Sequence, residues 1–171
     1  MRKEVEINSV FAETIESLKG KGIILLAGSP PNPMTIGWGT LGYIWGKFIF
    51  TVLVRPSRFT YSRMEEANEF TINILPDTYS KQISFCGKVS GRDFDKIAES
   101  GFNLEPGIHL MTPFLKESII HYECRTVSKN DLLPEALDER ILDNYYSRGD
   151  FHTVYYGEIV GIFREETMKE I

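Results

Sequence analysis

The sequence predicts a mainly β fold, an antiparallel sheet or barrel with flanking helices. Short apolar runs rich in β-branched and aromatic residues recur along the chain. Helices and loops of irregular length separate them, whereas a doubly wound sheet would show steady alternation of strand and helix. The composition, 42% hydrophobic and 25% charged, is that of a folded globular chain. With 171 residues, we expect one domain over residues 1–171.

The first half of the chain contains three clear elements and one ambiguous segment. Apolar residues at helical spacing predict a helix within 9–19, and GIILLAG is a predicted buried strand bounded by glycines. The prolines of SPPNP interrupt regular structure. The segment TIGWGTLGYIWG fits either a bulged strand or a loop that crosses the top of the sheet. KFIFTVLV is a predicted strand, and it ends at the turn RPSR.

The second half alternates in the same irregular way. Helices are predicted for TYSRMEEANEF, for 77–85, and for the segment after the glycine-rich loop CGKVSG, which ends at Gly101. Strands are predicted for FTINILP, for 118–129, and for HTVYYGEIVGIFRE with a kink at Gly157. The segment 130–150 is predicted to be a helix or an insertion with helical turns.

Charge and cysteine content exclude several classes of protein. The net charge of −5 argues against a nucleic-acid partner, which requires a basic surface. Cys86 and Cys124 show no CxxC spacing and fit a reducing compartment as small buried side chains. The amino-terminal segment lacks the apolar core of a signal peptide, and no apolar run approaches the ~18 residues of a membrane span. We therefore expect a cytoplasmic protein with no membrane partner.

The turn after KFIFTVLV has the residues of an anion site. Arg55 and Arg58 flank Pro56 and Ser57, and a predicted helix starts directly afterwards. Guanidinium groups, a hydroxyl and a helix amino end all suit phosphate oxygens. A solvated turn is the alternative, and these residues alone favour neither interpretation.

A second donor-rich cluster lies in GKVSGRDFDK. It combines small and basic residues, namely Lys88, Ser90, Gly91, Arg92 and Lys96. Glycine in such a loop lets the backbone approach an anion closely. The loop is not a nucleotide-binding P-loop, because GxxxxGK(S/T) is absent. Charged loops are common, so the cluster is a weak signal that gains weight from the first one.

Glycines and aromatic residues in TIGWGTLGYIW suit a planar ligand. Glycine allows a ring to lie against the backbone, and Trp38, between two glycines, is predicted to stack on or wall that ring. Trp45 is instead predicted to be a core residue. Together with the basic turn, the pattern indicates a ligand that is planar at one end and anionic at the other.

Other kinds of site find little support. The three histidines, His109, His121 and His152, lack the spacing of metal ligands. GxSxG and GxGxxG are also absent, so neither a serine nucleophile nor a Rossmann dinucleotide site is indicated. His152 and Glu158 could share a strand face near a ligand, but structural roles are favoured for both. We expect no metal and no catalytic side chain.

Five segments occur in an order that is typical of one family: NPMTIGWGTLG, VRPSRFTYSRMEEANEFTINI, SGRDFDKIAESGF, HYECRTV and HTVYYGEIVGI. Over about residues 20–165 the chain resembles the flavin reductase-like, FMN-binding split-barrel family, especially its flavoredoxin-type members. The resemblance implies a six-stranded antiparallel split barrel that forms a homodimer, with non-covalent FMN near the subunit interface. A proline-rich stretch common in the family before the phosphate turn is missing, and 130–150 bears no family signature.

The resemblance also implies roles for fifteen residues. Those that would line the isoalloxazine ring are Met34, Thr35, Ile36, Gly37, Trp38, Gly39 and Thr40. Those that would hold the ribityl phosphate are Val54, Arg55, Pro56, Ser57 and Arg58, with Ser90, Gly91 and Lys96 completing the anion site. The flavin itself would carry the chemistry at N5.

Three functions are compatible with these observations. The first is an FMN-dependent oxidoreductase, or flavin reductase, that passes electrons or hydride from NAD(P)H through FMN to an acceptor. The second is an FMN electron carrier that exchanges electrons with redox proteins and has no nicotinamide site. The third is a flavin-free ligand-binding or structural barrel. The sequence favours them in that order. It does not distinguish FMN from FAD as the cofactor, and it does not show whether the flavin is bound tightly or exchanges.

Overall fold

Residues 2–166 are described by a computed structural model in which strands dominate and five α-helices flank them. The strands are β1 (Arg2–Glu4), β2 (Ile23–Ala27), β3 (Asn32–Ile36), β4 (Gly39–Ile44), β5 (Lys47–Val54), β6 (Glu69–Ile74), β7 (Leu104–Glu105), β8 (Phe114–Leu115), β9 (Ile120–Asp131) and β10 (Thr153–Glu165). The α-helices are α1 (Phe11–Lys19), α2 (Phe59–Ala67), α3 (Ser80–Lys88), α4 (Lys96–Ser100) and α5 (Glu139–Tyr145). Short 3-10 turns occupy Ile7–Ser9, Asp77–Tyr79 and Pro134–Ala136.

Eight strands form one antiparallel sheet. Its order is β3-β2-β6-β9-β10-β5-β4, and β1 pairs with the far end of β10, while β7 and β8 form a separate pair. The predicted fold class, a mainly β antiparallel architecture with flanking helices, is confirmed. The main sheet has eight strands rather than the expected six, for two reasons. The segment TIGWGTLGYIWG contributes to two strands, β3 and β4, and β10 is long enough to pair with both β5 and β1 along one edge.

The apolar core lies on both faces of β2, as the run GIILLAG predicted. Ile23 and Leu25 point into a large cluster with the central strands, and Ile24 and Leu26 point into a second cluster with α3. Successive strand residues face opposite sides of a sheet, so a strand covered on both faces is apolar throughout. Burial of such side chains stabilises the fold by roughly 1.5–3 kcal/mol each.

The pairing of β10 with β5 positions the functional site. Thr153 pairs with Val54, so the residues just before β10 lie beside the turn that follows β5. The register between β10 and β9 shifts between Tyr156 and Gly157, which confirms the predicted kink. A Cβ at Gly157 would lie 2.5 Å from the Phe70 ring, so close packing at the bulge requires glycine.

Three local features differ from expectation. Strand β3 begins inside SPPNP and contains Pro33, which is tolerated because β3 lies at an edge of the sheet. Gly37 and Trp38 form a bend between β3 and β4, so TIGWGTLGYIWG is neither one bulged strand nor a loop. Trp45 is 62% exposed rather than buried, because it lies at the tip of the β4–β5 hairpin with a φ of 56°.

Within residues 2–166, no helix combines the length and apolarity that crossing a membrane requires.

Candidate functional site

The end of β3, the bend after it and the end of β5 enclose a cleft of about 230 Å³, here called the ring cleft. Its walls combine apolar side chains, exposed backbone and two arginines, namely Met34, Thr35, Ile36, Gly37, Trp38, Leu53, Arg55, Arg58 and His152. The Thr35 side chain is held in place by a hydrogen bond, which its hydroxyl donates to the carbonyl of Ile83 on α3 at 2.5 Å. The cleft is therefore built on rigid strands, with the Gly37 backbone at its rim.

Aromatic rings form one wall of the ring cleft. Trp38 is 42% exposed, and its ring meets the edge of Tyr145 with centroids 5.0 Å apart. The centre of the His152 ring lies 5.3 Å from the centre of the Trp38 ring. Such edge-to-face packing holds the indole in place while leaving part of its surface open. A planar ligand can therefore contact Trp38 without displacing it.

His152 is buried beside the ring cleft and is neutral at pH 7. Its Nδ1 lies 2.7 Å from the hydroxyl of Tyr146. Burial and the positive charge of Arg55 lower the pKa of His152 to about 4. When the imidazole proton is on Nε2, Tyr146 donates to Nδ1 and Nε2–H remains free for another acceptor.

Arg55 binds the backbone of the segment 145–150. Its guanidinium donates to the carbonyls of Tyr145 at 3.0 Å and Asp150 at 2.8 Å. The same group lies 5.0 Å from the centre of the Tyr146 ring. Arg55 thus fastens the aromatic wall to the end of β5, and it also brings a positive charge to the ring cleft.

Below the ring cleft, the turn and the loop after α3 enclose a second cleft of about 160 Å³, here called the anion cleft. Most of its lining residues are hydroxyl-bearing, small or basic: Ser57, Arg58, Phe59, Thr60, Lys88, Val89, Ser90, Gly91, Arg92 and Lys96. Arg58 also lines the ring cleft. Its Nη2 donates to the carbonyl of Gly87 at 2.6 Å, which fixes the guanidinium between the two clefts.

Close packing shapes the loop of the anion cleft. A Cβ at Gly91 would lie 2.1 Å from Oδ1 of Asn32 and 2.5 Å from the Phe59 ring. Only glycine fits there without a shift of both neighbours. Arg92 ties the loop to the turn by donating to the carbonyl of Ser57 at 3.0 Å. The two basic segments that the sequence singled out are thus in direct contact.

Lys96 is only 4% exposed, and it lies under the anion cleft. Its ammonium donates to the carbonyls of Pro33 and Cys86, both at 2.9 Å. Burial lowers the pKa of Lys96 to about 8, against a smaller opposing effect of the nearby Cys86 thiol. Lys96 therefore links β3 to the end of α3, and it adds positive charge beneath the cleft.

The structure brings together eleven of the fifteen predicted site residues. Met34 to Trp38 line the ring cleft with Arg55 and Arg58, and Ser57, Ser90, Gly91 and Lys96 line the anion cleft. The other four lie outside both clefts. Gly39 and Thr40 continue into β4, the side chain of Val54 packs in the core, and Pro56 is exposed. Because side chains alternate along β5, Leu53 rather than Val54 faces the ring cleft.

Sequence reasoning missed the contributions of the chain just before β10. Tyr145, Asp150 and His152 all reach the site, although the sequence favours a structural role for His152 over a position near a ligand. The strand pairing supplied the missing signal, since an antiparallel β5–β10 ladder places His152 next to Arg55. Glu158, the other half of the proposed shared face, instead forms an ion pair with Lys47.

Neither cysteine lines the ring cleft or the anion cleft. Cys86 and Cys124 are free and buried, and burial raises the pKa of both thiols. Among residues 2–166, no cluster of His, Cys, Asp and Glu side chains could hold a metal ion.

Comparisons with known proteins agree with this architecture. A model of the flavin reductase like domain matches residues 24–170. The fold is similar to a flavoredoxin of Methanosarcina acetivorans, with a TM-score of 0.67 and 27% identity over 85% of this chain and 69% of that chain. A flavoredoxin of Desulfovibrio vulgaris (Miyazaki F) gives 0.68 and 22% over the same shares. An NADH:FAD oxidoreductase of Streptomyces globisporus gives 0.64 and 17% over 84% and 75%. The chain belongs to the flavin reductase like domain family.

Proposed function

We propose that the protein binds FMN across the ring cleft and the anion cleft and acts as an FMN-dependent NAD(P)H oxidoreductase. The single observation that carries the proposal is the position of Arg58, which lines both clefts. A partly apolar cleft with aromatic walls adjoins a small basic one, and FMN is planar at one end and a phosphate dianion at the other. The lining residues therefore fit the cofactor.

Each lining group has a defined task in this proposal. Met34, Ile36 and Leu53 give the ring an apolar surface, and Trp38 walls it at the open side. The amides of Ser90 and Gly91 and the guanidinium of Arg58 are the donors for phosphate. When bound, the flavin supplies hydride or electron transfer.

Arg55 and His152 set the electrostatics at the ring. Arg55 keeps a positive charge beside the ring cleft, and neutral His152 can donate a hydrogen bond from Nε2 without adding charge. Neither Arg55 nor His152 has the surroundings typical of a side chain that transfers a proton to or from a nucleophile. We therefore assign these side chains to binding and orientation, and electron transfer to the cofactor.

A second candidate function, an electron carrier without a nicotinamide site, is favoured by an exposed aromatic surface on one hairpin. The β4–β5 hairpin that follows Trp38 exposes Tyr43, Trp45 and Phe48. Exposed apolar patches of this kind often mark protein contacts. Flavoredoxins are among the similar structures, which also supports this candidate.

An anaerobic absorbance scan separates the candidates. We expect the protein incubated with FMN to keep a flavin spectrum after desalting, and NADH or NADPH to bleach it within seconds. A spectrum that persists with both nucleotides but disappears with dithionite or a reduced ferredoxin would favour the carrier. A protein that stays colourless after incubation with FMN would contradict both functions and leave a flavin-free barrel.

We also propose that the working form is a homodimer. The exposed hairpin, with β4 at the edge of the sheet, supports an association of this kind. Light scattering with and without FMN tests it. A stable monomer with undiminished affinity for FMN would contradict a site shared between subunits.

A further inference from the structure

Residues 131–145, here called the strap, lead from the end of β9 towards β10, within the segment that bears no signature of the family. Both ends of the strap are fixed to residues that line the ring cleft. At one end the amide of Leu132 donates to the carbonyl of His152 at 3.0 Å. At the other end Arg55 donates to the carbonyl of Tyr145 at 3.0 Å. The strap therefore has a defined position beside the ring cleft.

Between these two ends, the strap leaves apolar side chains uncovered. Neither the 3-10 turn Pro134–Ala136 nor α5 contains a buried residue. Leu133, Ile141 and Tyr145 are 55%, 42% and 53% exposed. Ile141 and Tyr145 are four residues apart on α5, so they lie on the same face of the helix. A short helix gains most of its stability from packing of its apolar face, and an uncovered face of this kind suits a protein partner.

The strap is also strongly acidic. Five carboxylates and one guanidinium give it four of the five net negative charges of the chain. Asp138 and Arg140 pair with each other. The carboxylates of Glu135, Glu139 and Asp143 are exposed, and they have no ion-pair partner in the described part of the chain. Unpaired charges beside an uncovered apolar face favour a partner of opposite charge.

Tyr145 connects the strap to the opening of the ring cleft. Its ring meets the Trp38 ring edge to face, with centroids 5.0 Å apart. Trp38 lines the ring cleft and is itself 42% exposed. A protein that covered Ile141 and Tyr145 would therefore lie within one side chain of the cleft wall. Complexes between redox proteins have small interfaces, and complementary charges steer the two proteins together.

We propose that the strap is the docking surface for a redox protein with a basic face. The inference rests on the proposed function, because a flavin in the ring cleft is what would make this position useful to a redox protein. Lysine and arginine side chains of the partner would pair with Glu135, Glu139 and Asp143, and an apolar side chain would cover Ile141. A redox protein with an acidic face would be repelled.

Calorimetric titration with ferricytochrome c, a basic haem protein, tests the proposal, and an acidic ferredoxin is the comparison. We expect the protein incubated with FMN to bind cytochrome c at about 10 mM salt. At about 150 mM salt the Kd should be at least about tenfold higher, because salt screens the charges. The ferredoxin should not bind at either salt concentration.

Two variants and a control assign the binding to the strap. Glu135→Gln/Glu139→Gln removes two charges, so the Kd for cytochrome c should rise at least about fivefold at low salt and less at high salt. Ile141→Gln retains a good helix former but loses the apolar contact, and it should raise this Kd about threefold at both salt concentrations. Glu6→Gln/Glu166→Gln, at two other exposed carboxylates, is the matched control. The Kd for FMN should be the same in all of these proteins.

The outcomes separate this inference from the proposed function. If FMN binds but cytochrome c does not, or if both double variants weaken cytochrome c equally, the docking surface is overturned and the proposed function stands. If cytochrome c binds as expected but FMN does not, the strap still docks a basic protein and the proposed flavin site fails. If Ile141→Gln leaves cytochrome c binding unchanged but dissociates a dimer in light scattering, the strap is a contact between copies of this chain, and the proposal is overturned.

Discussion

The carboxylate of Asp150 accepts both hydrogen bonds that Ser57 can donate. The amide of Ser57 lies 3.3 Å from Oδ1, and its hydroxyl lies 2.5 Å from Oδ2. The two residues are 93 positions apart, and the β5–β10 ladder brings them together. The Asp150 carboxylate thus occupies the two Ser57 donors that the sequence assigned to a phosphate. In the proposed complex with FMN, the phosphate would therefore be held by Arg58 and the loop after α3, close to a negative charge.

Replacing Asp150 by asparagine should strengthen the binding of phosphorylated flavin. The Asp150→Asn side chain retains an acceptor for Ser57 but no longer repels the phosphate, so we expect the Kd for FMN to fall about fivefold. Riboflavin, which lacks the phosphate, should bind equally well to both proteins. Fluorescence titration with the two ligands measures the difference. Asp143→Asn, on the exposed face of α5, removes the same charge without touching the turn and is the control. An equal change for riboflavin would show that Asp150 acts on the ring cleft instead.

Arg58 should contribute to the binding of the phosphate and not of the ring. Arg58→Gln removes the charge between the clefts, and because the glutamine amide ends about two bonds short of Nη2 it also gives up the hydrogen bond to the carbonyl of Gly87. We expect the Kd for FMN to rise at least about tenfold, the range for a hydrogen bond to a charged group, and the Kd for riboflavin to stay constant. Arg125→Gln is the control on β9. Equal losses for FMN and riboflavin would place the effect in the ring cleft.

Gly91 should be essential for the geometry of the anion cleft. In Gly91→Ala the new methyl group overlaps Asn32 and the Phe59 ring, and overpacking of this kind costs about 1–3 kcal/mol. We therefore expect a lower midpoint of thermal unfolding and weaker FMN binding. Gly42→Ala is the matched control, because nothing lies within 4 Å of a Cβ there. Unchanged stability of Gly91→Ala would mean that the loop relaxes freely, contrary to its close packing.

The low pKa of His152 should make the folded protein less stable in mild acid than at neutral pH. Its pKa in the folded protein is about 4, whereas an unfolded histidine titrates near ~6.5. Between these values the unfolded chain binds a proton that the folded chain does not, so stability is present above pH ~6.5 and falls as the pH drops towards 4. We expect wild type to lose about 2 kcal/mol more than His152→Asn between pH 7 and pH 4.

Urea unfolding at several pH values measures this difference. Asparagine at position 152 retains an acceptor for Tyr146 but does not titrate. The control Tyr146→Phe removes the hydroxyl and keeps the buried imidazole, so it should retain the wild-type pH dependence. Identical pH profiles for wild type and His152→Asn would show that the imidazole is solvated in the folded protein.

The local sequence predicted the elements whose signals are local. The strand KFIFTVLV has the predicted bounds, and the turn RPSR follows it directly. Helix α4 ends at Gly101, whose φ of 67° is favourable for glycine. Trp45 shows the limit of such reasoning. Its apolar ring predicted burial, but the two-residue tip of a hairpin points away from any core, and only the β4–β5 pairing decides where that tip lies.

The sequence by itself determined the strand-rich class and the two basic segments, because apolar runs and donor-rich turns are properties of consecutive residues. Only the tertiary structure decided which of those donors are free. Arg55 is bound to the backbone of 145–150, Ser57 is bound to Asp150, and His152 reaches the ring cleft. These contacts join residues about ninety positions apart. They depend on the register of β5 against β10, and that register is set by packing of the whole sheet and not by any local pattern.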